Sequence, residues 1–274
     1  MTGDALRAAV DAMKAAGVET PRLDAELLLA EATGWQRARL AANPEEEIPP
    51  AATRRFAEMV RRRLRREPVA YILGRRGFRH LELAVDPRVL IPRPETELLV
   101  ELALELRPRS VLDVGTGSGA VALAIAAELP GCAVSATDTS APALAVARDN
   151  AERLGLDTRI EFHQGTLPPS AEGFDLVVAN LPYVAEGDWR ELQREVTEWE
   201  PREALLAGPD GLDAVRAAVP ALAGVTDTLA LEIGEGQVTA VTELLAAAGF
   251  AVSEPRPDLA GIARIVIGRS GTTP

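Results

Sequence analysis

Val111-Leu112-Asp113-Val114-Gly115-Thr116-Gly117-Ser118-Gly119-Ala120 is the stretch that decides the fold of this chain. A short apolar run breaks at closely spaced glycines, and a helical pattern follows. Glycine permits positive φ and lets a ligand lie against the backbone, so the pattern reads as a buried strand, a tight loop and a helix start. Ligands of open α/β sheets bind at the carboxyl ends of strands, where this loop falls. A dinucleotide site spaces its glycines G-x-G-x-x-G; here the order is Gly115-x-Gly117-x-Gly119, with Asp113 two residues earlier. A carboxylate there repels a pyrophosphate and suits a ligand with an ammonium group, met directly or through water.

Downstream the chain alternates strand and helix. Strands are expected at 110–114, 133–137, 160–163, 174–179, 229–233, 250–253 and 262–268, with helices near 118–129, 141–154 and 236–248. That order predicts an α/β domain over residues 92–274, with a mainly parallel seven-stranded sheet covered by helices on both faces. Upstream, residues 1–75 show helical spacing alone, as in Phe56, Met59, Val60 and Leu64, with Thr20-Pro21 opening one helix and Gly34 closing it. A small helical bundle is expected there. Between the two, 76–91 reads as a β-hairpin linker: Phe78 to Val85 alternates, Asp86-Pro87-Arg88 is the turn, and Val89-Leu90-Ile91 is an apolar run.

Composition narrows the function. The 274 residues are 47% hydrophobic, enough for a full core. A net charge of -12 repels nucleic acid unless a local patch reverses the sign. Arg61-Arg62-Arg63-Leu64-Arg65-Arg66 is one such patch; it reads first as a solvated helix face and second as a docking surface for a protein. Cys132 is the only cysteine, and with His80 and His163 it makes no convincing zinc set, so no metal is expected. Met1 to Val18 carries Asp4, Arg7, Asp11 and Lys14 at regular intervals, an amphipathic helix and not a secretory leader. The uncharged stretch between Asp113 and Glu128 is too short and too glycine-rich to span a bilayer. A cytoplasmic protein without a membrane partner is expected, with a monomer as the default.

The second constellation is Asn180-Leu181-Pro182-Tyr183, directly after the strand 174–179. An amide or exocyclic amine nitrogen is a poor nucleophile because its lone pair is delocalised. The Asn180 side-chain oxygen and the Leu181 carbonyl can each accept one of its N–H bonds and so orient the lone pair. Pro182 stiffens the turn, and Tyr183 can stack on the planar group. A site that aligns such a nitrogen with an electrophilic carbon helps an in-line displacement mostly by proximity.

These residues resemble two families of features. The glycine loop resembles the first motif of class I, Rossmann-like methyltransferases. That resemblance implies S-adenosyl-L-methionine as donor and S-adenosyl-L-homocysteine as product. Asp138, at the end of the next strand, is then placed to accept both ribose hydroxyls, although it could also cap the helix near Ser140. Further blocks resemble the release factor glutamine methyltransferases, the PrmC/HemK family, in the same order along the chain. They are Arg66 to Gly74, Val89-Leu90-Ile91-Pro92-Arg93-Pro94-Glu95-Thr96-Glu97, Glu200-Pro201 with Gly208 to Leu212, Glu232-Ile233-Gly234 with Gln237, and Asp258-Leu259-Ala260-Gly261 before Arg264.

The resemblance implies that residues 1–75 help recognise the release factor, and that the target is N5 of the glutamine in its Gly-Gly-Gln loop. It implies cofactor contacts from Asp113, Gly115, Thr116, Gly117, Ser118, Gly119, Asp138, Thr166 and Asn180. It implies a catalytic set of Asn180, Leu181, Pro182 and Tyr183, which also binds substrate together with Leu90, Arg93 and Pro94. Two departures stand out. The family's usual Asn-Pro-Pro-Tyr is Asn-Leu-Pro-Tyr here, and no acidic residue follows the third strand, where Gln164-Gly165-Thr166-Leu167 leaves the adenine contact to backbone or to Thr166.

Two alternatives compete. One is an N6-adenine methyltransferase acting on RNA or DNA, since Asn-Leu-Pro-Tyr also resembles the rRNA adenine dimethyltransferases. Those place the glycine loop near the N-terminus, whereas about 110 residues precede it here, and the acidic charge disagrees. The other is a cofactor-bound scaffold without catalysis, which has no need of the Asn-x-Pro-Tyr element.

Overall fold

The computed structural model describes residues 1–169 and 173–271. The chain forms two compact units. One is Met1–Arg75 with Gln193–Trp199; the other is Arg76–Leu192 with Glu200–Pro274.

The first unit is helical: Thr2–Ala15, Pro21–Thr33, Arg37–Ala42, Pro50–Leu64 and Val69–Leu73, joined by Arg194–Trp199 from far along the chain. Their apolar faces close on one cluster that includes Leu6, Met13, Leu28, Leu29, Phe56 and Ile72. Gly34 ends the second helix at φ 72°, the left-handed conformation that only glycine adopts cheaply. Thr20 precedes that helix but makes no cap; its hydroxyl donates to the Asp24 carboxylate at 2.8 Å.

The arginine run is not a solvated face. Arg63 lies in the last turn of the helix and Arg66 just beyond its end, at φ 66°, and both are buried. Arg63 pairs with Asp24 at 2.7 Å and with Glu195 at 2.6 Å, while Arg66 pairs with Glu195 and donates to the Gly17 carbonyl at 2.8 Å. Arg62 pairs with Glu67, and Arg61 and Arg65 are exposed. The run therefore fastens Arg194–Trp199 into the first unit. Buried charges of this kind are tolerable only when each has its counter-charge and hydrogen bonds.

The second unit carries the sheets. A hairpin pairs β1 (Arg75–Phe78) with β2 (Leu81–Ala84). It turns at Arg79, not at Asp86-Pro87-Arg88, and Val89 to Ile91 is not a strand. The reason lies in where the backbone groups go. Asp86 accepts from the Arg88 N–H in a local turn of its own, and the Ile91 N–H is taken by the Glu200 carboxylate at 3.0 Å.

The main sheet is built from β3 (Ser110–Val114), β4 (Ala133–Asp138), β5 (Ile160–Gln164), β6 (Leu176–Ala179), β7 (Thr228–Glu232), β8 (Phe250–Val252), β9 (Arg256–Pro257) and β10 (Ala263–Ser270). Its order is β5-β4-β3-β6-β7-β10-β8, with the two-residue β9 paired to β10. β3 to β7 are mutually parallel, and β10 runs antiparallel to β7, β8 and β9. β6 is buried at every position, as expected of a central strand covered on both faces. It begins at Leu176; Phe174 makes only an isolated bridge to Thr226. The helix after β3 starts at Ala120, because Gly119 sits at φ 84° and cannot be helical.

Chain order sets the position of the site. After β3 the chain builds outward on one side through β4 and β5, then returns to the other side with β6 and β7. The edge between β3 and β6 is therefore the point where strand order reverses, and the crevice above it is where α/β sheets bind ligands. Among the described residues no helix is long and apolar enough to cross a membrane.

Candidate active site

Parallel register pairs Val114 with Ala179. The next residues, Gly115 and Asn180, leave the sheet side by side; a Cβ on Gly115 would meet the Asn180 carbonyl at 3.5 Å and the Leu181 side chain at 3.3 Å. A cavity of about 400 Å³ opens there, within the range of small-molecule sites. Of the expected site residues, Gly115, Gly117, Asp138, Thr166, Asn180, Leu181, Pro182 and Leu90 line it.

Asp113, Thr116, Ser118 and Gly119 stand behind the loop. Asp113 is 2% exposed, and its carboxylate turns inward to accept from the Thr116 hydroxyl at 2.7 Å and the Ala122 N–H at 3.2 Å. Through Oδ2 it ties loop to helix. Burial pushes its pKa up to about 6, against the pull of those two donors. Gly119 is favoured by its φ of 84°, and a Cβ there would also lie 3.3 Å from Ala147 Cβ.

Gly117 differs. It lines the cavity at φ 57°, and nothing lies within 4 Å of where a Cβ would stand. The open space beside its backbone is what a ligand lying on the loop needs. Asp138 faces the same space. One carboxylate oxygen accepts from the Gly117 N–H and the other from the Ser140 N–H, each at 2.9 Å. A carboxylate has about four acceptor positions, so both oxygens keep lone pairs for ligand hydroxyls. Helix capping near Ser140 falls to Ser140 itself, whose Oγ accepts from the Ala143 N–H.

Asn180 is held from behind. Its Nδ2 donates to Thr96 Oγ1 at 3.0 Å. The pairing of Ala179 with Leu231 sets Glu232 beside Asn180 at the neighbouring strand end. Glu232 is 3% exposed, and its Oε2 is buried without a partner among the described residues. Burial pushes its pKa up to about 7, with the Thr96 hydroxyl and the charges of Arg264 and Arg93 opposing.

Tyr183, Arg93 and Pro94 do not line the cavity. The Tyr183 ring lies against Gly234, where a Cβ would approach its Cδ2 to 3.2 Å. Burial, and then the nearby Glu232 charge, push its phenol up to about 12, so it stays neutral. Arg93 is pinned to Glu200 at 2.6 Å. Pro94 opens the 3-10 turn Pro94–Thr96, which delivers Thr96 to Asn180.

Several supporting residues were not singled out by sequence reasoning. Asn150 is buried; it accepts from the Ala84 N–H, donates back to the Ala84 carbonyl, and donates to the Ser118 carbonyl, so it fastens the hairpin to the glycine loop. Gln237 accepts from the Gly234 N–H and donates to the carbonyls of Tyr183 and Gly211, joining three loops. Glu200, Thr96, Glu232 and Gln237 sit inside blocks quoted above, but their partners lie far away in sequence. Asn150 carried no signal.

A mainly parallel sheet, a glycine loop at its reversal point and an Asn-x-Pro-Tyr turn on the adjacent strand together define a class I methyltransferase. A methyltransferase-domain model matches residues 111–199, and a PrmC N-terminal domain model matches residues 4–74. The release factor glutamine methyltransferase of Moorella thermoacetica is 45% identical, covering 94% of each chain. That of Geobacter sulfurreducens is 42% identical, covering 93% of this chain and 92% of its own. This chain belongs to the release factor glutamine methyltransferases. The solved hMettl16 catalytic domain in complex with the MAT2A 3'UTR hairpin 6 shares the fold at 17% identity, with a TM-score of 0.57 over 70% of this chain and 76% of that one.

Proposed function

We propose that this protein transfers a methyl group from S-adenosyl-L-methionine to the side-chain nitrogen, N5, of the glutamine in the Gly-Gly-Gln loop of peptide chain release factors. The observation that carries the reading is the parallel register of β3 and β6, which brings the glycine loop and Asn180-Leu181-Pro182 to one cavity.

Gly115 and Gly117 form the floor on which the donor rests, and Asp138 accepts its ribose hydroxyls. Thr166 stands at the adenine end, in place of the missing acidic residue. Asp113, Thr116, Ser118 and Gly119 keep the loop in shape. When bound, the sulfonium donor supplies an electrophilic methyl group.

The chain's own residues supply alignment. The Asn180 Oδ1 and the Leu181 carbonyl accept the two amide N–H bonds of the glutamine, which turns its nitrogen toward the methyl carbon. Leucine in place of the usual proline keeps that carbonyl. Pro182 stiffens the turn. Tyr183, neutral at all ordinary pH, bounds the carboxamide on the side away from the donor. Leu90 closes the cavity from above, and Arg93 and Pro94 hold the segment that carries it. Holding two reactants in a near-attack geometry can supply about 7–11 kcal/mol of the barrier. No strong base is needed, because an N-methylated amide cation loses its proton readily.

The first unit serves to recognise the release factor, and the enzyme works in the cytoplasm as a monomer. The test mixes purified protein, S-adenosyl-L-methionine and a release factor, and maps the product by tandem mass spectrometry. A single methyl on the Gly-Gly-Gln glutamine is the expected result. An unmodified release factor, or methylated adenine when RNA is offered instead, overturns it.

A further inference from the structure

The block Asp258-Leu259-Ala260-Gly261 before Arg264 lines no part of the donor cavity. In the structure it is the turn of a hairpin: β9 and β10 run antiparallel, with Ala263 opposite Pro257. One side chain on this turn stands apart. Leu259 is 109% exposed, so none of its surface is covered by the fold. The other large apolar side chains on the surface of the described residues, Met1, Leu23 and Leu106, stand at only 37–46%. Half-covered apolar side chains are ordinary on a protein surface. One that is wholly uncovered contributes nothing to the stability of its own fold.

The turn that carries it is braced from within. Asp258 Oδ1 accepts from the Ala260 and Ile262 N–H groups at 2.8 and 3.0 Å, and Oδ2 from Arg264 Nε at 2.9 Å. The Asp258 N–H donates to the Ile262 carbonyl at 2.8 Å, and the Gly261 N–H to the Asp258 carbonyl at 3.0 Å. Gly261 completes the turn at φ 81°. The one charge in the turn is therefore matched by Arg264, and the outer tip, Leu259 to Gly261, is exposed and uncharged. A slack loop could fold its leucine back onto apolar surface; a braced one holds it out. A group already fixed in place gives up little entropy on binding.

The sheet sets where the tip points. β10 runs antiparallel to β7, so it begins at the carboxyl end of β7: Ile265 pairs with Glu232, and the Ile233 N–H donates to the Arg264 carbonyl at 2.9 Å. β7 in turn lies parallel to β6, with Leu231 beside Ala179, the residue before Asn180. Gly234, next after Ile233, abuts the Tyr183 ring. The hairpin tip thus leaves the sheet at the same edge as Asn180-Leu181-Pro182-Tyr183, two strand spacings or about 10 Å across. A glutamine that reaches Asn180 on a loop of a folded protein brings the body of that protein down on this edge.

We propose that Leu259 is a docking anchor for the release factor, seating in an apolar depression of the domain that carries the Gly-Gly-Gln loop. The inference rests on the substrate given under Proposed function and adds a surface that recognises it. The chemistry of the tip sets the chemistry of the contact: an aliphatic side chain with no charge beside it asks for an apolar partner surface. Covering one leucine completely is worth a factor of about 10 to 100 in affinity.

The experiment compares the full-length enzyme with Leu259→Ala and Leu259→Met. Initial rates are measured against release-factor concentration at saturating S-adenosyl-L-methionine, donor affinity by calorimetry, and mass by sedimentation. Leu259 is uncovered in the free enzyme, so the alanine variant should melt within about 2 °C of wild type. Its KM for the release factor is expected to rise about 10-fold, with kcat and donor affinity within about twofold, the pattern of lost uniform binding. Methionine, apolar and close in volume, restores most of the affinity. A wild-type KM in the alanine variant overturns the proposal. So does a loss of donor affinity as large as the rise in KM, which would make the turn a prop of the donor site. So does a wild-type dimer that alanine splits, which would make a second copy of the chain the occupant. A wild-type enzyme that leaves the glutamine unmodified refutes the functional reading and this inference with it, whereas an unchanged KM refutes this inference alone.

Discussion

Replacing Glu232 by glutamine should make the second unit more stable, and more so the higher the pH. The structure supplies the size of the effect. Glu232 is 3% exposed, and its pKa stands at about 7 in the fold against an ordinary value of 4.5. The folded value lies above the unfolded one. Between those limits the folded chain holds a proton that the unfolded chain has lost, so stability falls as pH rises through the window. Above it the loss is complete. A difference of this size corresponds to roughly 3 kcal/mol, of which about 1 kcal/mol is already felt at pH 5. Wild type should therefore lose roughly 2–3 kcal/mol between pH 5 and pH 8.5 from this residue alone, and Glu232→Gln should not.

For a domain of this size about 1 kcal/mol moves the melting temperature by about 2–4 °C. The gap between variant and wild type should widen by about 5–10 °C over that range. Scanning calorimetry at several pH values measures it, provided the transition of the second unit is resolved from that of the first. A gap that stays constant from pH 5 to pH 8.5 would show that Glu232 is not a strained buried acid.

Three other outcomes follow from the structure. Asn180→Ala removes the acceptor oxygen and should lower turnover at least about 100-fold, while calorimetry finds cofactor affinity nearly intact; an equal loss of both refutes its assigned role. Arg63→Ala leaves Asp24 and Glu195 buried without their shared cation and should destabilise the first unit by about 3–5 kcal/mol, read by urea unfolding; a change below about 0.5 kcal/mol would mean that water reaches the pair. Gly211→Ala places a Cβ 2.3 Å from the Tyr183 carbonyl at φ 75°, so it should cost about 2–4 kcal/mol and slow methyl transfer by shifting Tyr183; wild-type stability and rate together would contradict that contact.

Much of this protein can be read from local pattern. The run Val111–Ala120 implies strand, loop and helix because apolar continuity, glycine and helical spacing act over a few residues. Asn180-Leu181-Pro182-Tyr183 declares its chemistry for the same reason: its polar groups are adjacent in sequence. The sequence alone thus determined the α/β class and the place of the glycine loop and of Asn180-Leu181-Pro182 at strand ends.

What only the tertiary structure decided is which groups face each other across long separations. Asp113 also holds the loop to the helix that follows, a role that depends on how that helix packs and not on the neighbouring glycines. Arg63 and Arg66 looked solvated and proved to be buried against Glu195, a partner that no helical periodicity within residues 50–64 could announce. Thr96 and Glu232 stand far apart from Asn180 in the chain; the 3-10 turn Pro94–Thr96 brings the first to its side chain, and the parallel register of β7 with β6 sets the second at the neighbouring strand end. Local sequence sets which conformations each segment prefers. Strand order and register, which follow from how the whole core closes, set which side chains share a hydrogen bond.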